Sequence, residues 1–138
     1  MHTTQSISIT TVQRSKAPDF DFDNIVFGTQ PTDHIFLANY RDGAWQEPRI
    51  EPFHDITMSP MALCLHYGQT VFEGMKAYRQ DDGAINIFRP CKHHARLNKS
   101  LDRMCMPAIP EELFMDALHQ LVALEEAWIS GNTEASLY

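Results

Sequence analysis

Apolar residues along the chain fall into two alternating patterns followed by two helical ones. Residues 33–52 predict a hairpin around Asp42-Gly43, because this dipeptide tolerates the positive φ values of a tight turn. Residues 69–90 predict a second hairpin, in which apolar and polar positions alternate over 85–87. These patterns predict antiparallel strands in the first two thirds of the chain.

Two amphipathic helices are predicted after the second hairpin. Leu97, Leu101 and Met104 lie four and three residues apart, which gives the first helix a single apolar stripe. The second helix is predicted to begin at Pro110. Its buried face is predicted to comprise Leu113, Ala117, Leu121, Leu124 and Trp128. Antiparallel hairpins followed by two helices predict an α+β fold, an antiparallel sheet with helices packed on it.

The two ends of the chain differ from this pattern. Residues 1–24 are polar and predict a flexible N-terminal tail ahead of a domain over 25–138. The tail lacks the apolar core of a secretory signal, but its Ser/Thr-rich, acid-poor composition also resembles an organelle transit peptide. Residues 134–138 predict the start of another strand, which suggests that the chain is part of a longer protein.

Composition narrows the classes of function. The formal charge is −7, from 18 acidic and 11 basic residues, and such a surface disfavours nucleic-acid phosphates. No apolar run reaches the roughly 18 residues that a membrane span needs. The three cysteines show no CxxC spacing, which favours a reducing cytoplasm over a disulfide framework. We therefore expect a cytoplasmic protein, with an organelle as the alternative, and neither nucleic acid nor membrane as a partner.

Four basic residues share one face of the first predicted helix. Lys92, Arg96, Lys99 and Arg103 are spaced four, three and four residues apart. This face is either solvated or part of an anion site. Arg96 borders the apolar stripe, so it is the member expected to point inward and to hold a phosphate with its planar guanidinium.

Other motifs of catalytic chemistry are missing. Cys91, His93 and His94 are close in sequence but lack the i,i+4 histidine spacing of a helical zinc site, so no metal is expected. No GxSxG, GxxxxGK[ST] or GxGxxG motif occurs. The residues by themselves therefore predict an α+β domain with a candidate anion site.

Three segments carry a resemblance to a known family. They read LHYGQTVFEGMKAYR at 65–79, NIFRP at 86–90 and RLNKSLDRMCMP at 96–107. Together they resemble the branched-chain amino acid aminotransferases, which are fold type IV pyridoxal-phosphate enzymes, and the resemblance covers about residues 25–138. It implies the small N-terminal domain of the D-amino acid aminotransferase-like fold, in a homodimeric enzyme that binds pyridoxal 5'-phosphate between two domains. Such enzymes exchange an amino group between leucine, isoleucine or valine and 2-oxoglutarate, so branched-chain amino acids and 2-oxo acids are the implied substrates.

The resemblance also implies roles for individual residues. Arg96 matches the arginine that grips the cofactor phosphate. The aromatic residues that line the family's substrate pocket are matched by Phe27, Tyr67, Phe72 and Tyr138. The backbone of Gly74 would lie beside that pocket. An apolar, aromatic-walled cavity suits an aliphatic side chain. Buried phenylalanines are usually core residues, and that reading stays open for Phe27 and Phe72.

The catalytic lysine of the family has no counterpart here. The Schiff-base lysine lies in the family's second domain, beyond position 138, and it matches none of Lys16, Lys76, Lys92 and Lys99. We therefore expect this chain by itself to be inactive and not to retain the cofactor. The alternatives are another class IV enzyme, either a D-amino acid aminotransferase or an aminodeoxychorismate lyase, and a non-catalytic interaction domain.

Overall fold

A computed structural model describes residues 6–26, 28–131 and 135–138. The elements in chain order are β1 (Ser8–Ile9), β2 (His34–Arg41), β3 (Ala44–Pro52), α1 (Leu63–Tyr67), β4 (Ala77–Arg79), β5 (Ile85–Ile87), α2 (Pro90–Arg103) and α3 (Glu111–Leu124). Two 3-10 turns lie at Ala17–Asp19 and Glu126–Trp128. Helices and two small sheets in one domain confirm the α+β class.

The first sheet has the strand order β1-β3-β2. Strands β2 and β3 are antiparallel, with His34 opposite Pro52 and Arg41 opposite Ala44. Asp42 and Gly43 both have positive φ, 53° and 78°, as a type I′ turn requires, so this hairpin is confirmed. Strand β1 pairs in parallel with β3, which makes this sheet mixed rather than purely antiparallel.

The second hairpin is shorter than predicted, since only β4 and β5 pair across the turn that contains Gly83. The first strand of this hairpin was predicted to begin near Val71. That prediction is wrong, because residues 68–76 have no regular structure. The side chain of Glu73 accepts the N–H of Gly74 at 3.0 Å, and a backbone group used in this way cannot join a strand ladder. The strand predicted at 134–138 is reduced, among the residues described there, to one bridge between Leu137 and Ala77.

Part of the segment predicted as a tail lies against the domain. Strand β1 belongs to the first sheet, and Ala17 is buried. The Ser15 hydroxyl and the Lys16 N–H donate to the carboxylate of Asp33, at 2.6 and 3.1 Å.

The first long helix follows the prediction, whereas the second follows it only in part. Leu121 and Leu124 of its predicted buried face are half-buried, and Trp128 is buried but lies in the 3-10 turn that follows the helix.

Pro90 is the first residue of α2, where its missing N–H costs nothing. At the other end Cys105 takes a positive φ, and the N–H of Met106 bonds the carbonyl of Leu101, which is a Schellman motif without glycine.

The core lies between the helices and the sheets. The apolar stripe of α2 buries Leu97 and Leu101. Helix α3 packs on both α2 and β2. Its buried residues are Leu113, Ala117 and Val122, and the last of these packs with Ala77 and Ile129.

Candidate functional site

An open pocket of about 780 Å³ lies between the segment ahead of β2, the stretch from Glu73 to Ala77, helix α3 and the last described residues. Most of its lining is apolar, including Phe36, Leu118 and Leu137. The carboxylates of Glu73 and Glu125 are among its few polar groups. A mostly apolar concavity with a few placed polar groups is typical of a small-molecule site.

Gly74 and Tyr138, two of the residues predicted for the substrate pocket, meet in its wall. A Cβ atom added to Gly74 would lie 2.9 Å from both Cε2 and Cζ of the Tyr138 ring. Separations this short do not occur for real Cβ atoms, so the ring can occupy this position only because residue 74 is glycine. The close approach of backbone and aromatic ring explains the second glycine of the 65–79 segment.

Arg96, the residue predicted to hold the phosphate, projects from α2 and pairs with Glu73. Its Nε donates to Oε2 of Glu73 at 2.8 Å, and its Nη2 donates to Oε1. The Arg96 side chain is 66% exposed, whereas that of Glu73 is 5% exposed. The prediction that Arg96 points inward is therefore wrong: its side chain lies at the border of solvent and is connected to the pocket through the buried carboxylate of Glu73.

Three residues converge on Glu73 and explain its acidity. Besides Arg96, the Nδ1 of His93 donates to Oε1 at 3.0 Å, and so does the N–H of Gly74. The hydrogen bonds from Arg96 are the largest influence on the pKa of Glu73. With those from His93 and Gly74 they outweigh the effect of burial and lower this pKa from 4.5 to about 2. Glu73 is a fixed anion at neutral pH.

Stability should depend on pH through this carboxylate. Because the pKa of Glu73 is depressed in the folded state, the charged carboxylate stabilises the fold above pH 4.5, and this contribution is lost as the pH falls towards 2. We expect the free energy of unfolding of Glu73→Gln to be lower than that of the wild type at pH 7, and the gap to narrow below pH 4.5. Urea unfolding from pH 7 to pH 3 measures this gap.

The matched control is Glu126→Gln. Glu126 also pairs with an arginine, Arg79 at 3.2 Å, but its side chain is 58% exposed, so we expect a small effect at every pH. A gap for Glu73→Gln that stays constant or widens towards pH 3 would contradict the assignment.

Two of the other predicted pocket residues, Tyr67 and Phe72, do not line this pocket. Tyr67 and Phe72 are on the surface, 81% and 88% exposed. Phe27 lies outside the described residues.

A buried polar cluster that the sequence did not predict contributes His34, Glu125 and Trp128 to the lining of the pocket. The N–H of Val12 donates to Nε2 of His34 at 3.0 Å, so the ring carries its proton on Nδ1 and donates it to Glu125. The second oxygen of Glu125 accepts the N–H of Asp33 at 3.0 Å. The carboxylate of Asp33 in turn accepts Nε1 of Trp128 at 2.9 Å.

This cluster supports the pocket rather than offering reactive groups. Burial raises the pKa of Asp33, but the hydrogen bonds from Ser15, Trp128 and the N–H of Lys16, with the nearby His34, outweigh it and leave the pKa below its ordinary value. Within the described part of the chain, every buried side-chain nitrogen or oxygen has a hydrogen-bond partner. A saturated cluster of this kind fixes the segments that it joins.

Glu73 was also missed as a site residue. A signal was present, since a carboxylate between Phe72 and Gly74 interrupts an apolar run.

Among the residues that the structure describes, no set of three or more histidine, cysteine, aspartate or glutamate residues is arranged to hold a metal ion. Nor does any described helix have the length and apolar character to cross a membrane.

Comparison with known proteins gives relatives that match most of this chain. No protein-family model matches the chain. The branched-chain-amino-acid aminotransferase 2 of Bacillus subtilis (strain 168) is 46% identical over 125 residues, which are 90% of this chain and 34% of that protein. The branched-chain-amino-acid transaminase 1 of the same organism is 45% identical over 129 residues, 93% of this chain and 36% of the relative.

A plant relative gives the same result. The chloroplastic branched-chain-amino-acid aminotransferase 5 of Arabidopsis thaliana is 37% identical over 134 residues, which are 96% of this chain and 32% of the relative. The chain thus spans about a third of the length of the curated relatives that it matches. Over 90% or more of its length, the chain is therefore similar to one part of proteins named branched-chain-amino-acid aminotransferases, and it is a relative of that part.

Proposed function

We propose that the protein carrying this sequence is a pyridoxal-phosphate-dependent transaminase. It would exchange an amino group between leucine, isoleucine or valine and 2-oxoglutarate, and residues 25–138 would form its small N-terminal domain. The observation that carries this proposal is the 46% identity, over 90% of the chain, to a curated branched-chain-amino-acid aminotransferase. The apolar pocket beside Gly74 and Tyr138 supports it, because an aliphatic side chain requires such a cavity.

The residues present fit a phosphorylated cofactor. Arg96 is a largely exposed cation, and its Nη1 has no hydrogen-bond partner among the described residues, so this nitrogen can donate to a phosphate oxygen. When bound, pyridoxal phosphate supplies the electron sink for amino transfer. The contribution of this chain would be to anchor the phosphate through Arg96 and to exclude water from the substrate side chain with the pocket wall.

A second copy of the protein is the partner that we propose. Large apolar side chains are exposed along residues 53–72, namely Phe53, Ile56, Met58, Met61, Leu63, Leu65, Tyr67 and Phe72. Apolar surface of this kind commonly marks an interface, and a homodimer would cover it.

The three cysteines are unpaired in the structure, which favours the cytoplasm as the location.

The test measures amino transfer by the complete protein. Cofactor-loaded protein is incubated with 2-oxoglutarate and, separately, with leucine, isoleucine, valine or D-alanine, and glutamate formation is followed. We expect formation of L-glutamate with the three branched-chain substrates and none with D-alanine. Activity confined to D-alanine, or pyruvate release from aminodeoxychorismate, would instead assign another class IV enzyme.

Residues 1–138 by themselves provide a second arm of this test. We expect no turnover from them, since Lys16, Lys76, Lys92 and Lys99 do not match the lysine of the family. Turnover by residues 1–138 would overturn this expectation, and absence of turnover in the complete protein with every substrate would leave a non-catalytic interaction domain.

A further inference from the structure

Glu73 is nearly enclosed, although the cation that it binds is not. Its side chain is 5% exposed, against 66% for Arg96. The enclosure is built from three sides, by Arg96, by His93 one turn earlier on α2, and by the N–H of Gly74. A carboxylate held by so many donors is a fixed point for the more exposed arginine.

The contact also determines which edge of the guanidinium is used. An arginine presents two edges for paired hydrogen bonds, one formed by Nε and one Nη, the other formed by both Nη atoms. Glu73 occupies the edge formed by Nε and Nη2. Nη2 also lies 3.4 Å from Nδ1 of His93, whereas Nη1 has no hydrogen-bond partner among the described residues and remains on the other edge.

We propose that Glu73 is the positioning residue of Arg96, and that it holds one edge of the guanidinium so that the other is presented to the cofactor phosphate. This inference rests on the proposed function, in which Arg96 is the phosphate ligand. Glu73 does not touch the phosphate in this role and acts through Arg96.

A positioning role and a purely electrostatic role of Glu73 predict opposite effects of Glu73→Gln on phosphate binding. A carboxylate next to an anion site repels the anion, so an effect of charge alone would make phosphate bind more tightly when Glu73 becomes glutamine. If Glu73 positions Arg96, the same change frees a side chain that must then be ordered on binding. Ordering such a side chain costs about 0.5 to 1.5 kcal/mol, which weakens binding about 2- to 12-fold.

The experiment measures the contribution of the phosphate group in the complete protein, freed of cofactor. Calorimetry gives the dissociation constants of pyridoxine 5'-phosphate and of pyridoxine, neither of which has an aldehyde that would react with lysines. The dissociation constant of pyridoxine divided by that of pyridoxine 5'-phosphate isolates the phosphate contribution, and this ratio falls when the phosphate is bound less tightly. We expect Arg96→Ala to reduce this ratio by about 10-fold or more, as for the loss of hydrogen bonds between charged groups, and Glu73→Gln to reduce it about 2- to 12-fold, with pyridoxine affinity unchanged in both.

Two further variants separate position from charge and from misfolding. Glu73→Asp keeps the charge but shortens the reach to Arg96, so weaker phosphate binding in this variant cannot come from a lost charge. It also serves if circular dichroism shows that Glu73→Gln does not fold. Glu126→Gln removes an arginine-paired carboxylate that does not line the pocket, and we expect it to leave the ratio unchanged.

Each contrary result has a distinct meaning. If Arg96→Ala leaves the ratio unchanged, the phosphate role of Arg96 in the proposed function is overturned, and the role of Glu73 with it. If Arg96→Ala weakens phosphate binding while Glu73→Gln and Glu73→Asp leave it unchanged or tighten it, the positioning role alone is overturned.

Discussion

Replacement of Glu125 by alanine is expected to lower the free energy of unfolding by about 3 to 5 kcal/mol. The Glu125 side chain is 2% exposed and accepts hydrogen bonds from Nδ1 of His34 and the N–H of Asp33. Without the carboxylate both donors stay buried and unpaired, at about 1 to 3 kcal/mol each, and the lost side chain leaves a cavity. Urea unfolding followed by circular dichroism measures the change.

The neighbouring residue provides a control at the same place in the chain. Glu126 is 58% exposed and its partner is Arg79, so Glu126→Ala should cost about 1 kcal/mol or less. The loss of unfolding free energy for Glu125→Gln should lie between those for Glu125→Ala and Glu126→Ala. The amide oxygen of glutamine can accept from one donor, while its NH₂ group opposes the other donor. A loss below about 1 kcal/mol for Glu125→Ala would show that the cluster does not hold the fold together.

Local signals explain which elements could be predicted. The turn at Asp42-Gly43 and the stripe at Leu97 and Leu101 depend on neighbours within a few residues, and the structure contains both. The strand predicted near Val71 failed because Glu73 bonds to a helix more than 20 residues later. An alternating pattern of apolar residues does not indicate that the carboxylate of Glu73 accepts hydrogen bonds from backbone and side-chain groups, and such bonds prevent strand pairing.

The candidate site was also predictable only in part, for the same reason. Its basic face was visible in the helical spacing of α2, but the partner of Arg96 lies 23 positions away in a stretch without periodicity. The bond between His34 and Glu125 spans 91 positions. Contacts at such separations follow from how the elements pack, which no local pattern contains. The contact of Gly74 with Tyr138 likewise requires the last residue of the chain to return to the pocket.

Trp128 should be the other residue with a large effect on stability. Its side chain is 7% exposed, its Nε1 donates to Asp33 at 2.9 Å, and its ring centroid lies 5.2 Å from that of Phe20. Trp128→Ala is expected to cost about 3 to 5 kcal/mol, since it removes a large buried ring and leaves Asp33 with one donor fewer. Trp128→Phe keeps most of the apolar contact and should cost about 1 to 3 kcal/mol.

The other tryptophan of the chain is the matched control. Trp45 also donates one hydrogen bond, from Nε1 to the carbonyl of Ala108 at 2.8 Å, and packs beside Tyr40, but it is only half-buried. Trp45→Phe should therefore cost less than about 1 kcal/mol, because water can satisfy the carbonyl that it leaves. Circular dichroism is the suitable probe, because each change removes one of the two tryptophans and so alters the fluorescence signal itself. Equal losses for Trp128→Phe and Trp45→Phe would contradict the role given to the bond with Asp33.

Replacement of Trp128 should affect the candidate pocket as well as the stability of the fold. Trp128 lines the pocket together with Phe20 and Glu125, whereas Arg96 does not line it. Replacement of Trp128 by a smaller ring should therefore loosen its contact with Phe20 and enlarge the cavity, while the hydrogen bonds between Arg96 and Glu73, to which Trp128 does not contribute, are kept. In the complete protein, we expect Trp128→Phe to raise the KM for leucine more than it weakens binding of pyridoxine 5'-phosphate. The reverse order would place Trp128 on the cofactor side of the pocket.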